Sequence, residues 1–347
     1  MRARLNHFGK IFLIILAIAG VTYAGGKLAP VWKAGAAAPA QRFAHAAVWN
    51  DKAKTMLIFA GEAKGEKSFI FFHDVWEYNP ATNAWQEIKV TGDGPDDRAY
   101  FAAAWDSKES VMWAFGGASA NAFAALDDLW KFDPAAAAWT HVTWEGKGPV
   151  ARMNSSLHYL EFSQQLLVCG GSTGFAPDSA LQDLWLYDIA ANTWTELPAA
   201  PAPRWQFAAA VDAKHKLFIL HGGFDGASLP TNDTWIYDIA KKKWTPAGNG
   251  PKTADAHAAV WDKQTGLVLC YGGTQMNDKL GISELSAFDP ASGKWSALKA
   301  KGDGPGPRGY HSLVISADGA LAILFGGTHN QFSDPMQDAK AWQLSLR

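Results

Sequence analysis

The sequence predicts an all-β ring of six four-stranded blades, a β-propeller in which the N-terminal strand completes the last blade. Three observations predict it. A twelve-residue phrase recurs as DLWKFDPAAAAW at residues 128–139, DLWLYDIAANTW at 183–194 and DTWIYDIAKKKW at 233–244. A pair of small residues ends six apolar runs, at Ala60-Gly61, Gly116-Gly117, Gly170-Gly171, Gly222-Gly223, Gly272-Gly273 and Gly326-Gly327. Successive pairs lie 50–56 residues apart, the period of a propeller blade built from about fifty residues.

Each repeat reads as four short strands. In the first, residues 43–49 (FAHAAVW) and 55–61 (TMLIFAG) form the first two, residues 74–79 (DVWEYN) the third, and the segment around Trp85 the fourth. Glycine at the end of the second strand permits positive φ and close backbone approach. An aromatic followed by Asp or Asn closes the third, at Tyr78-Asn79, Phe132-Asp133, Tyr187-Asp188, Tyr237-Asp238 and Phe288-Asp289. There the short polar side chain caps the turn that follows. Trp85, Trp139, Trp194, Trp244 and Trp295 then supply large rings to pack between blades. The sixth repeat has no such Trp: counted from its glycines, Gln343 takes the aspartate position and the Trp would fall past Arg347. Trp32, ten residues before Arg42 as Trp194 is ten before Arg204, supplies it from the other end of the chain. A ring closed in this way leaves no sheet edge open.

The 347 residues are 48% hydrophobic with 33 Gly and 17 Trp, enough for a large core punctuated by turns. Net charge is −2 and no Lys/Arg-rich run occurs, which removes the electrostatic footprint of a nucleic-acid partner. Residues 1–24 differ from the rest: Arg2, Arg4 and Lys10 precede an apolar stretch and then small residues at Thr22 and Ala24. That is the form of a secretory signal cleaved after Ala24, leaving a propeller over residues 25–347 that is exported, periplasmic or secreted. The alternative is an uncleaved anchor holding the propeller outside the cytoplasm, the one route to a membrane. Cys169 and Cys270 lie in apolar strands of blades that do not touch, so they read as buried thiols rather than a disulfide.

Comparing the copies separates two faces. Residues 45, 101, 155, 207, 257 and 311 each precede the second glycine of their repeat by sixteen, and the Asp/Asn position always precedes Trp by six. These intervals contain the turns joining strands one to two and three to four, on one face. The opposite connections vary in length, and variable loops are where function specialises. Binding is therefore expected on the variable face, around the channel mouth.

That face is rich in rings, with Phe69, Phe71 and Phe72 in the first blade and Phe123, Phe175, Phe224, Met276 and Phe332 in others. Such residues bind a partner or fold back on their own loops. Arg42, Arg98, Arg152, Arg204 and Arg308 occupy equivalent positions, with Ala254 in the fifth blade. A guanidinium ring could clamp carboxylates or phosphates, yet five identical contacts point rather to structural ties. His45, His257 and His311 fall in neighbouring blades and could converge on a metal, although no carboxylate ligand accompanies them. Tyr100, Asn154, Trp205, Gln206, Asp255 and Tyr310 differ from blade to blade, so individual ligand contacts belong there. Asp255, without an arginine in its own repeat, is the lone acid–base candidate, against the plainer reading of a loop cap. No cofactor motif is present.

These anchors, six times in register from Val31 to Arg347, resemble the kelch-repeat family. Ala60 for glycine in blade one and Ser286 for Trp in blade five are its local departures. The resemblance implies a binding module for a protein or glycan partner on the variable-loop face. Blade number and export signal are also similar to the bacterial sialic-acid mutarotases, which implies a sugar-active alternative using the arginines. The kelch domain of galactose oxidase is similar in architecture, but the Tyr–Cys crosslink and extra domains of that enzyme have no counterpart.

Overall fold

The computed structural model describes residues 22–23, 26–120, 124–252, 254–275, 281–329 and 339–347. Most of the predicted secretory segment, together with Phe123, Met276 and Phe332, lies outside the described residues. Six antiparallel sheets form the blades, five of four strands and the second of five, where the short strand Arg98–Ala99 also pairs with the second strand of that blade, Val111–Ser119. Blade 1 runs Ala46–Asn50, Thr55–Phe59, Val75–Asn79 and Ala84–Ile88 in hairpin order. The innermost strands, Ala46–Asn50, Ala102–Asp106, Ser156–Leu160, Ala208–Asp212, Ala258–Asp262 and Ser312–Ile315, pack side by side around a central channel, the sixth against the first.

Closure occurs as expected. Lys340–Ser345 pairs with Val31–Ala37, with Leu344 opposite Trp32. The register differs from the sequence reading by two residues. Ser345 faces Leu321 as Asp188 faces Gln165 and Asp238 faces Leu217, so Ser345 and not Gln343 holds the aspartate position. The loop between strands two and three is thus two residues longer than counted, and Trp342 is the third-strand Trp.

The first strands begin at Ala46 and its equivalents, later than the sequence pattern implies. The cause is one left-handed residue two positions earlier in every blade: Ala44, Tyr100, Asn154, Gln206, Ala256 and Tyr310, with φ of 52–60°. Such a residue stops the ladder.

The fourth-strand Trp knits blades together by stacking on the residue that ends the second strand of the preceding blade. Trp139 meets Phe59 with ring centroids 4.6 Å apart, Trp85 meets Phe325 at 4.9 Å and Trp295 meets His221 at 4.3 Å. Trp32, delivered from the N-terminal strand, meets Tyr271 edge to face with centroids 5.4 Å apart. Cys169 holds that strand-end position in blade 3; both cysteines are buried and free, and burial raises both thiol pKa values.

Candidate partner face

Two rings of backbone hydrogen bonds frame the variable-loop end of the channel. In the inner ring each left-handed residue donates its N–H to its counterpart one blade back. The bonds run Tyr100 to Ala44 (2.9 Å), Asn154 to Tyr100 (2.7 Å), Gln206 to Asn154 (3.2 Å), Ala256 to Gln206 (2.8 Å), Tyr310 to Ala256 (2.9 Å) and Ala44 to Tyr310 (2.9 Å). In the outer ring the second glycine of each blade donates forward. Gly61 bonds the carbonyl of Arg98, Gly117 that of Arg152, and so on until Gly327 bonds Arg42 at 3.0 Å. Ala254 accepts from Gly223 at 2.8 Å, so the fifth blade loses the side chain and keeps the bond. Only glycine fits the outer ring: a Cβ on Gly117, at φ +105°, would stand 2.7 Å from Phe101 Cβ and 2.8 Å from Ala99 O.

The arginines are turned into their own blades. Arg98 is 1% exposed and gives both terminal nitrogens to Asp128 at 2.7 Å, with a third bond to the carbonyl of Gly116 at 3.0 Å. Arg42 with Asp74, Arg152 with Asp183 and Arg204 with Asp233 form the same two-pronged pair. Desolvation works against these carboxylates. The guanidinium and the indole N–H donated from two residues on, at Trp76, Trp130, Trp185 and Trp235, outweigh it and hold them below the usual range. In blades 1 to 4 the Arg, Asp and Trp are bonded as one unit; blade 5 replaces all three with Ala254, Glu284 and Ser286, Glu284 there pairing with Lys252 at 2.6 Å, while blade 6 keeps Arg308 and Trp342 without the Asp. Arg308, whose blade carries Lys340 at the position of that Asp, bonds the carbonyls of Gly326 at 3.0 Å and of Pro305.

The histidines are packing groups. The rings of His45, His257 and His311 sit against Gly326, Gly222 and Gly272 of the preceding blade. They meet different partners: Phe325 for His45, His221 for His257 and Tyr271 for His311. Burial lowers all three pKa values, so the imidazoles are neutral in the fold.

What remains at the neck are the side chains of the inner ring. Tyr100 and Tyr310 meet edge to face at 6.0 Å, and with Asn154, Gln206, Ala44 and Ala256 they line a cavity of about 170 Å³. The residue that sequence comparison missed is Glu62. It follows the second glycine of blade 1, where the other blades carry Ala118, Ser172, Phe224, Thr274 and Thr328. It is 1% exposed, accepts the Tyr100 hydroxyl on Oε1 and has no partner on Oε2 among the described residues. Burial pushes its carboxyl up to about 7 although the Tyr100 hydrogen bond pulls the other way. Comparing that one position across the six copies would have found it. Asp255, the proposed acid–base group, is fully buried and accepts the Thr274 hydroxyl at 2.7 Å, the geometry of a loop tie.

A two-stranded finger rises from Glu62: Glu62–Lys64 pairs with Phe69–Phe71. Phe69 packs on Phe43 at 6.1 Å, Phe71 joins the same cluster, and Phe72 lies under the Arg42 guanidinium at 4.2 Å. Trp205 stacks on Phe224 at 5.1 Å. Much of the predicted aromatic display is therefore folded onto its own loops. The exposed remainder is specific: of the five large apolar side chains exposed among the described residues, Ile70, Val150, Phe175 and Leu229 are on this face, and only Val31 is not. The larger cavity, about 1320 Å³, opens at the other end among the fixed turns, lined by Trp49, Trp105, Tyr159 and Trp261. The inner ring narrows the loop-side mouth instead.

The sequence matches the KLHDC2/KLHL20/DRC7 Kelch-repeats domain over residues 30–200 and 198–345. It is 29% identical over 53% of its length to acyl-CoA-binding domain-containing protein 4 of Arabidopsis thaliana, covering 28% of that protein. It is 28% identical over 47% of its length to the flagellar outer-arm dynein alpha chain of Chlamydomonas reinhardtii, covering 4% of it. To kelch domain-containing protein 3 of Bos taurus it is 27% identical over 37% of its length, covering 34%. In each case the likeness spans well under two thirds of the relative. With the six closed blades and the family match over nearly every repeat, the chain belongs to the kelch-repeat domain family.

Proposed function

We propose that the chain is an exported protein-interaction propeller that holds its partner on the variable-loop face. The observation that carries this reading is the placement of exposed apolar side chains: Ile70, Phe175 and Leu229 project from the loops of blades 1, 3 and 4 on that face. Exposed rings and branched chains over a rigid frame are what a partner buries. A kelch propeller is typically such a module, and no catalytic set is needed for it. An enzyme acting on a carboxylated sugar would draw on the arginines, but four of the five guanidiniums are bonded to aspartates of their own blades. A glycan partner stays within the proposal as an outcome of the test.

The test compares wild type with an Ile70→Asp, Phe175→Asp, Leu229→Asp variant as bait for cross-linking in the native exported fraction, alongside a glycan array. The variant is expected to melt like wild type and to lose the cross-linked protein. Equal recovery by both baits overturns the reading, and saturable binding to one saccharide moves it to a glycan receptor. Export is tested by fractionation and by the mass of the mature N-terminus, expected to begin at Gly25.

A further inference from the structure

Among the described residues, a carboxylate is buried beside the neck with no cation paired to it. Glu62 is the only acid at its position among six blades, and among the described residues its Oε2 has no hydrogen-bond partner and no ion pair reaches it. The neighbouring guanidiniums of Arg42 and Arg98 are committed to Asp74 and Asp128. A buried charge of this kind is costly unless something pairs with it, and the fold does not ask for it, since Ala118 or Thr328 serves elsewhere.

The surroundings fit one kind of group. Tyr100, whose hydroxyl is held by Glu62, presents its ring to the cavity next to Tyr310. Gln206, 6% exposed, also lines the cavity and has an unpartnered Oε1, while its side chain hydrogen-bonds Tyr310. Aromatic faces, a carbonyl acceptor and a carboxylate behind the ring are the elements that attract a cation. At about 170 Å³ the cavity equals roughly five or six waters at about 30 Å³ each, room for the end of one long side chain. Three of the flanking loops agree: residues 118–128, 172–183 and 224–233 hold Asp127, Asp178 and Asp225 besides the arginine-paired aspartates, and no Lys or Arg, whereas the blade 1 loop carries Lys64 and Lys67 along with Glu66.

We propose that the neck of the loop face receives one lysine or arginine side chain of the partner protein, seated over Tyr100 and Tyr310 with Glu62 as counter-charge. This rests on the protein-contact reading above and names the partner's chemistry.

The full chain is titrated calorimetrically at pH 8 with N-acetyl-arginine amide, N-acetyl-lysine amide, N-acetyl-glutamine amide and calcium chloride. A cationic amide is expected to bind saturably with a dissociation constant on the order of 1 mM, and the glutamine amide not to bind. Glu62→Gln, checked for an unchanged fold by circular dichroism, is expected to weaken the cation about tenfold or more. Lowering the pH to 5.5, where Glu62 takes up a proton, is expected to weaken wild type but not that variant. Tyr100→Phe keeps the ring and is expected to retain most of the binding. Binding of the glutamine amide as strongly as the cations, indifference to Glu62→Gln, absence of saturable cation binding, or binding of calcium alone would each overturn the inference. If the triple loop variant loses the partner while Glu62→Gln captures it fully, the protein-contact reading survives and this inference does not.

Discussion

The two faces of the disc are held by different parts of the chain. On the turn face side chains do the holding: Asn50, Asp106, Asp212 and Asp262 accept backbone N–H groups in the first turns. Asn79, Asp133, Asp188, Asp238 and Asp289 do so in the second. On the loop face the backbone does it through the two hydrogen-bonded rings, in which Ala, Tyr, Asn and Gln occupy one conformation. Where the turn side chain is replaced, as by Leu160 in blade 3, the backbone bond from the Gln164 N–H to the Leu160 carbonyl at 2.7 Å remains; that position is Asn or Asp in four of the six first turns. A neck that depends on its main chain leaves every side chain free to specialise, and there the six copies diverge.

The comparison breaks most severely where the backbone ring itself is blocked. Gly117→Val puts a branched side chain into contacts already below 3 Å at the Cβ and into a φ of +105°. A loss of about 4 kcal/mol or more is expected in urea melts, seen as mostly unfolded protein. Next comes the seam between blades: Trp139→Ala removes the ring that bridges Phe59 and Phe132 and should cost about 3–5 kcal/mol by the same measurement.

Acid should act in between. His158, His221 and His311 are lowered by burial to about 4, 4 and 3, so the fold binds fewer protons than the unfolded chain. Stability is complete above the unfolded value near 6.5 and is lost as pH falls through that value toward 4. Thermal melts between pH 8 and 4.5 are expected to show Tm falling below about pH 6.5, and His158→Leu should flatten the fall. Glu62 has the opposite sign. Its carboxyl is raised from 4.5 to about 7, so its ionisation destabilises the fold increasingly between those values and fully above them. Glu62→Gln should stabilise by about 2 kcal/mol at pH 8 and not at all at pH 4. A uniform effect at both pH values would show that Glu62 is already neutral or already paired.

The smallest effect belongs to the loop tips. Ile70→Asp and Leu229→Asp, each 52–55% exposed, should change stability by less than about 0.5 kcal/mol. A larger loss would mean that these tips belong to the frame after all, and the distinction between the faces would fail on that side.

Sequence comparison reached the architecture because each blade repeats its local signals: glycine pair, aromatic-Asp and Trp at fixed spacing. The closing strand was legible from Trp32 alone. The register of the last strand was not, because its aspartate has become Ser345 and its aromatic Leu344, which left only the loop length to count from. The arginines were legible as a structural set, though not their partners, which are aspartates at the start of the third strand and backbone carbonyls. Glu62 was missed for a physical reason. Beside a glycine it reads as an exposed loop acid, and its burial comes from tertiary contacts: its backbone pairs with Phe43 and Phe71, and its carboxylate takes the Tyr100 hydroxyl of the next blade. Those contacts are written in no single repeat.

The inner and outer rings run in opposite senses, one donating backward and the other forward around the axis. A helix ends in a positive pole that draws anions, whereas dipoles laid head to tail in a circle have no end and cancel. Neither mouth therefore inherits a polarity from this part of the scaffold, and the amides that could have cradled a phosphate are already engaged. The sign of what the neck admits is decided by a handful of side chains, so replacing Glu62 should abolish the proposed preference for a cation while the wheel beneath stays unchanged.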